Sequence, residues 1–420
     1  MKEILENCAG LDIHQRTIVA CIMTGLGQKM KKLIKTFGTT TDDLRTLGKW
    51  LREHSVNDAA MESTGIYWVP VVNVLEDEMG LKITLANPRY IKNVPGKKTD
   101  VKDAEWICQL FKHGLIAQSF IASRKIRRLK SLVRYKRSLV EDLATAKNRV
   151  IKTLEACNIK MSSVFSDVFG VCGRKILHAL AHNEYRPDEL MKHVSSRVKA
   201  SKEDMKKALT GTFYEDDSIE LMLKMERVDE LEIAIDKVEQ QIKLLCVPHA
   251  QEIELLKTIP GVSENIASVI VAELGVDMDQ FPSDHHVASW AGLVPGNNES
   301  AGKKYSSSIR SGNKNLKKTL VQSAWSIAKM ANTFLGSFFR RIKIKRGAKR
   351  AAIAVAHKIV VIAYWVLKEH CSYKELGADY GDQQLKERRI KYLKKQIEKM
   401  GFDVQVTEKE SKSIEIPVVA

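Results

Sequence analysis

The chain has 420 residues, with 68 Lys and Arg against 51 Asp and Glu and a formal net charge of +17 at pH 7. With 44% hydrophobic residues it can build two or three cores, which excludes wholesale disorder and a single small domain. The cations cluster in one stretch from Arg89 to Arg137, including Lys97, Lys98, Arg124, Arg127 and Arg128, and in a second from Lys303 to Arg350. Clustered cations neutralise phosphates, so nucleic acid is the natural partner; a solvated basic face or adhesion to anionic lipid is the plainer alternative.

The seven cysteines are scattered, with no CxxC pair and no zinc spacing, which predicts a reducing, intracellular setting. The N-terminus lacks an apolar signal core. The most apolar run, Ala351–Leu367, is broken by His357 and Lys358 and is short for a bilayer span. A soluble, cytoplasmic chain with no membrane partner is the expectation.

In chain order, Cys8–Ile13 and Thr17–Met23 are β-branched apolar runs that read as a hairpin. Thr41–Glu53 has helical periodicity, Ala59–Met61 a short strand, Tyr67–Asp77 a helix, and Lys82–Ala86 a strand closed by Asn87-Pro88. Strands mixed with helices predict an α/β first domain over residues 1–122. Residues 123–247 read as all-α. A long helix from Ser123 to Ile159 carries Leu132, Leu139, Leu143, Val150 and Leu154 on one stripe. A second long helix repeats Val228, Leu231, Ile235, Val238, Ile242 and Leu245 at alternating spacings of three and four. That seam predicts a coiled-coil helical arm, two packed helices of a bundle being the plainer reading; Phe165–Thr212 between them reads as helical and irregular. Residues 248–370 form a helical third region opened by Ile259-Pro260-Gly261-Val262, and 371–420 a basic helix, Gln383–Met400, with a frayed tail.

Four carboxylates carry the candidate chemistry. Asp12 ends the first apolar strand, Glu62 ends the next short one, and Asp100 and Asp103 open a helix three residues apart, on one face. Acids at strand ends are costly unless paired, and hard divalent cations such as Mg²⁺ take oxygen ligands. Each also has an ordinary explanation. Asp100 and Asp103 suit an N-cap and third helical position, Asp12 a turn, and Glu62 a cap for the helix near Gly65. The order Gly10-Leu11-Asp12-Ile13-His14, Glu62-Ser63-Thr64-Gly65-Ile66-Tyr67-Trp68 and Lys98-Thr99-Asp100-Val101-Lys102-Asp103-Ala104 resembles the DEDD transposases of the IS110 insertion-sequence family, relatives of the Piv-type DNA invertases. The resemblance implies a RuvC-like, RNase H-like first domain in which Asp12, Glu62, Asp100 and Asp103 hold two Mg²⁺ ions.

Further on, Lys257-Thr258-Ile259-Pro260-Gly261-Val262-Ser263 opens a helix, and a tight turn at a helix start suits a phosphate. It resembles a helix-hairpin-helix, although such turns also join ordinary helices. Ser300 follows in a small, polar, Gly-containing loop, Asn298-Glu299-Ser300-Ala301-Gly302-Lys303-Lys304, beside two lysines. A free serine needs cations or a base to act as a nucleophile. A solvent-facing loop serine is the ordinary alternative, and Ser306, Ser307, Ser308 and Ser311 compete with it. Ala291-Gly292-Leu293-Val294-Pro295 and Ser311-Gly312-Asn313-Lys314-Asn315-Leu316 resemble the C-terminal transposase domain of the same family, which implies that Ser300 is its nucleophile. The family shows Ser-Gly at this point, whereas this chain has Ser-Ala-Gly.

The nucleic-acid contacts expected are Lys97, Lys98, Arg127, Arg128, Gly261, Lys303, Lys304, Arg310, Lys314 and Lys317, with plain surface charge the default for Arg310, Lys314 and Lys317. The resemblance implies a bacterial or archaeal, nucleoid-associated DNA transposase that binds donor and target DNA. It also implies a homo-dimer or homo-tetramer in which acids and serine meet across protomers, guided by a structured non-coding RNA. The other classes are a DNA invertase, a RuvC-like nuclease that needs no Ser300, and a non-catalytic nucleic-acid-binding protein.

Overall fold

The computed structural model describes residues 4–62, 65–86, 100–116, 118–119, 121–196, 198–296, 298–300, 303–306, 308–403 and 405. The Asn87-Pro88 turn, Lys97, Lys98 and Ser307 lie outside them. The chain divides into two compact units, Met1–Ser131 and Leu132–Ala420.

The first unit is a six-stranded mixed sheet in the order β3-β2-β1-β4-β5-β6. β1 (Cys8–Ile13) and β2 (Ile18–Thr24) form the expected hairpin, and β3 (Lys31–Phe37) extends it antiparallel. β4 (Asp58–Glu62) and β5 (Lys82–Ala86) continue parallel to β1, and β6 (Gln118–Ser119) closes the far edge. Strand alternation sends Ala9, Leu11, Ile13, Ala59, Met61, Ile83 and Leu85 to one face. There they pack against Leu44, Leu47 and Leu51 of α1 (Thr41–Glu53). Val71, Val72 and Leu75, from α2 (Trp68–Val72) and the π-helical turn after it, complete that layer. α1 starts where the sequence places it because Thr40 and Asp43 form a reciprocal capping box.

The opposite face carries Cys8, Val19, Cys21 and Met23 against Ala104 and Cys108 of α3 (Asp100–Lys112). Small residues on both sides let helix and sheet approach closely. A Cβ on Gly10 would lie 2.3 Å from the Ala104 carbonyl oxygen and 2.4 Å from the Cys108 nitrogen. Among these thiols, hydrogen bonding to Cys21 and Cys8, reinforced by burial, pushes Cys108 up and keeps it protonated.

In the second unit, α4 (Arg124–Ala156), which begins in the first, and α9 (Glu215–Cys246) run antiparallel. Their bridges are Lys136–Glu239, Lys147–Glu232 and the Lys224 amine on Thr153 Oγ1, at 2.5, 2.9 and 2.6 Å. Between them, α5 (Met161–Val164), α6 (Val171–Ala181), α7 (Pro187–Met191) and α8 (Lys202–Leu209) gather on a shared core. These short helices share no regular apolar repeat. Their order comes instead from Phe165, Ile176, Leu177 and Leu180 packing with Val150, Leu154, Leu221 and Met225 of the two long helices.

The rest is a helical bundle of α10 (Ala250–Lys257), α11 (Glu264–Leu274), α12 (Asp284–Trp290), α13 (Lys314–Ile327), α14 (Phe334–Arg346) and α15 (Ala348–Lys368). Between α12 and α13 lies a two-stranded ribbon, β7 (Asn298–Ser300) and β8 (Lys303–Ser306). α15 is long and apolar enough to cross a bilayer, but its Val355, Ile359, Val360 and Ala363 are fully buried in the bundle. α16 (Tyr380–Glu398) follows as a basic helix.

Candidate functional site

The acid positions converge through register and helix direction. β1 and β4 pair in parallel with Leu11 opposite Met61, so one residue further Asp12 stands beside Glu62 on the next strand. Both follow a residue that faces the α1 layer, so both belong to the α3 side of the sheet. α3 runs antiparallel to β1. Its last residue, Lys112, is 1% exposed and donates to the carbonyls of Leu5, Glu6 and Gly25 at 3.0, 2.9 and 2.8 Å. Cys108 then sits beside Cys8, with their sulfurs 3.8 Å apart, and Ala104 over Gly10. From Cys108 back to Asp100 the helix rises about 12 Å, while β1 advances about 13 Å from Cys8 to Asp12. The first turn of α3 therefore lies at the strand ends carrying Asp12 and Glu62. Asp103 immediately precedes Ala104 and so stands about 100° round the helix from it, at the flank of the face packed on the sheet.

Asp12, Glu62 and Asp103 are each partly buried; the Asp100 side chain is outside the described residues. Asp12 Oδ2 lies 3.1 Å from His14 Nε2, so a cation on that oxygen competes with the imidazole. No group of three or more His, Cys, Asp and Glu side chains close enough to share a metal occurs among the described residues. Asp12, Glu62 and Asp103 are therefore not gathered into such a group, although carboxylate oxygens of their kind would suit a hard divalent cation.

Ser300 belongs to a ribbon rather than an open loop. It is the last residue of β7, and its backbone pairs with Lys303, as Glu299 pairs with Lys304 and Asn298 with Ser306. Below the strands the ribbon continues through the Pro295–Ile309 bridge and the amides of Gly296 and Arg310, which donate to the carbonyls of Ser308 and Val294. At its foot Gly292, at φ +70°, meets Gly312 so closely that a Cβ on Gly312 would fall 2.3 Å from the Gly292 nitrogen. The side chains of Ser300, Lys303, Lys304 and Ser306 are outside the described residues, whereas Ser308, Arg310 and Ser311 are exposed.

Next to that foot is a buried polar junction that the sequence reading missed. Glu273 is fully buried within apolar α11. Arg134 of α4 grips its two carboxylate oxygens at 2.8 and 2.9 Å, and the Asn313 side-chain amide donates to it at 2.6 Å. Asn313 Oδ1 in turn accepts from the amides of Asn315 and Leu316, capping α13. A charged residue inside the apolar run Ile266–Leu274 was the one available signal; its partners are too distant in sequence to read.

Several expected contacts have local roles. Arg127 donates to the Ala122 carbonyl, Asn73 and Asp77, so its guanidinium is engaged within its own unit. Gly261, at φ +77°, packs against Ile327, and its carbonyl accepts from Ser323 at 2.7 Å. Ser263 already caps α11 through the Ile266 amide. Arg128 and Lys314 are exposed, and Lys317 is half-buried.

Two family models match the sequence, one across the region of the mixed sheet, whose central strands carry Asp12 and Glu62, and one across the helical region with the Ser300 ribbon. One, described as a transposase and named for DEDD and IS110, covers residues 9–159; the other, "Transposase IS116/IS110/IS902 family", covers residues 253–338. The chain belongs to the IS110 transposase family and is related to the Piv invertases. It is 30% identical over 143 residues to the pilin gene-inverting proteins of Moraxella bovis and Moraxella lacunata. That stretch is 33% of this chain and spans 44% of each relative's length.

Proposed function

We infer that the chain is a DNA transposase or site-specific recombinase that exchanges strands by transesterification. The observation carrying this reading is the register that brings Asp12 beside Glu62 under the first turn of α3, where Asp100 and Asp103 begin. Family membership supports it, since its members are transposases and the related proteins are named for inverting a gene. Ser300 Oγ gives up its proton and attacks the scissile phosphorus, forming a phosphoserine ester as one P–O bond of the strand breaks; the departing strand oxygen takes up a proton and leaves as a hydroxyl. A strand hydroxyl then attacks the ester, restoring the serine and joining the ends with the number of ester bonds unchanged.

Asp12, Glu62, Asp100 and Asp103 would hold Mg²⁺, as two ions, which supplies positive charge to the phosphate oxygens. The RuvC-like reading of the sheet and the helix-hairpin-helix reading of Thr258–Ser263 belong to the same proposal. So do a homo-dimer or homo-tetramer and a structured guide RNA bound with donor and target DNA. Action as an invertase differs only in the DNA acted on. A test is to trap protein on nicked, end-labelled DNA in denaturing gels. The expected result is a covalent adduct with the parent chain, none with Ser300→Ala, and no strand exchange with Asp12→Asn. An adduct that persists in Ser300→Ala and maps to Ser306 or Ser308 overturns the nucleophile; metal-dependent cleavage without any adduct favours the RuvC-like nuclease.

A further inference from the structure

A cavity of about 590 Å³ opens among α14, α15 and α16, and most of its lining lies beyond residue 338, where the second family match ends. Its walls include Phe334 and Phe338 with Lys345, Arg346, Arg350 and Lys358. The two phenyl rings stack at 6.2 Å with an interplanar angle of 24°. Arg341 lies over the Phe338 ring at 5.7 Å, and Gly381 of α16 admits it, since a Cβ there would fall 2.4 Å from the guanidinium. Lys345, Arg346, Arg350 and Lys358 have no ion-pair partner among the described residues. α15, which carries Arg350, starts at Gly347 without a side-chain cap, adding the positive end of a helix to the same corner.

Unpaired cations beside aromatic rings in a concave wall match one chemistry, a polyanion that also offers flat rings. An exposed cationic face alone would suit duplex phosphates, but a duplex keeps its base faces stacked inside. We propose that this cavity is a binding site for an unpaired strand of DNA, with phosphates held by Lys345, Arg346 and Arg350 and a base laid against Phe334 and Phe338. The choice of DNA rests on the proposed function, because cutting and exchanging strands leaves unpaired DNA beside the break. The site itself stands on the cavity's charge and rings and involves neither the acids nor Ser300.

The test is fluorescence anisotropy of the full chain with a labelled twelve-nucleotide oligo-dT, the matching oligo-U, and a duplex of the same length. Oligo-dT should bind most tightly. Lys345→Glu/Arg346→Glu/Arg350→Glu should weaken it at least about tenfold and lower the salt slope by roughly two phosphate contacts. Phe338→Ala should weaken oligo-dT at least about fivefold while barely changing duplex binding, as loss of one stacked base would. A charge-matched control, Lys329→Glu/Lys343→Glu/Lys349→Glu, should stay within about twofold if the site is local rather than a net-charge effect. Equal weakening by that control, tighter binding of duplex, or an unaffected Phe338→Ala overturns the proposal; preference for oligo-U assigns the cavity to RNA and overturns the choice of DNA. A photocrosslink from bromodeoxyuridine oligonucleotide to residues 334–358 supports the site in the unaltered chain, even should the triple variant fold poorly, and crosslinks confined elsewhere refute it. Ser300→Ala should bind oligo-dT like the parent, so failure of the serine chemistry and failure of this site are read separately.

Discussion

In the sheet, Asp12 and Glu62 are held by backbone pairing, and the helix bearing the other two acids is pressed onto the strands at a glycine. The ribbon carrying Ser300 has only short pairing of its own and is fastened at its foot, by the Gly292–Gly312 approach and the capping of α13 by Asn313. The acids are thus fixed by close packing that tolerates almost no added volume. The foot of the ribbon, at Asn313, is fixed by a directional hydrogen bond to the buried Glu273 carboxylate. The first device fails when an atom is inserted, the second when a polar partner is removed.

Gly10→Val separates the two most sharply. Its side chain has nowhere to go between β1 and α3, and overpacking should cost about 3 kcal/mol or more. Urea unfolding checks the size; a variant as stable as the parent would mean that α3 is not seated by contact at Gly10. Glu273→Ala comes next. It leaves Arg134 and the Asn313 amide without their carboxylate and should cost about 3 kcal/mol, at the low end for a buried pair because Arg134 is 44% exposed. Asn313→Ala should cost about 1–2 kcal/mol through the lost cap. Both variants should also slow the adduct formation proposed for Ser300, read in denaturing gels, while leaving the metal binding proposed for Asp12, read by calorimetry, as in the parent.

The smallest effect concerns Glu76, whose Oε2 is buried with no hydrogen-bond partner among the described residues. Burial raises its pKa above the ordinary carboxylate value, with Arg127 opposing and Asp77 adding to the rise. An acid that binds its proton more tightly folded than unfolded lowers stability as pH climbs from the unfolded value, 4.5, through the folded one. Glu76→Gln should therefore flatten that part of the stability profile and melt slightly higher than the parent at neutral pH. A steeper profile in the variant would reverse the assigned cause.

Legibility followed burial. Thr41–Glu53 is found at the predicted ends because its cap and apolar stripe are both local in sequence. β3 was missed because Lys31–Thr36 is exposed on both faces, so an edge strand there shows no apolar alternation. Around Ser300 the sequence suggests a loop because two short, polar strands carry no period to count. Arg127 looks like a phosphate ligand in the sequence because nothing there reveals its partners Asp77 and Asn73.

The sequence by itself determined the first hairpin, α1, the family motifs and where the candidate acids and serine fall along the chain, since each depends on neighbours within a few residues. Only the tertiary structure decided that α3 runs back along β1, that Glu273 joins Arg134 to Asn313, and that unpaired cations surround a pair of phenyl rings. Those facts couple residues far apart along the chain. Helix direction, charge pairing and cavity shape arise from packing, which one chain's pattern of polar and apolar residues does not encode pair by pair.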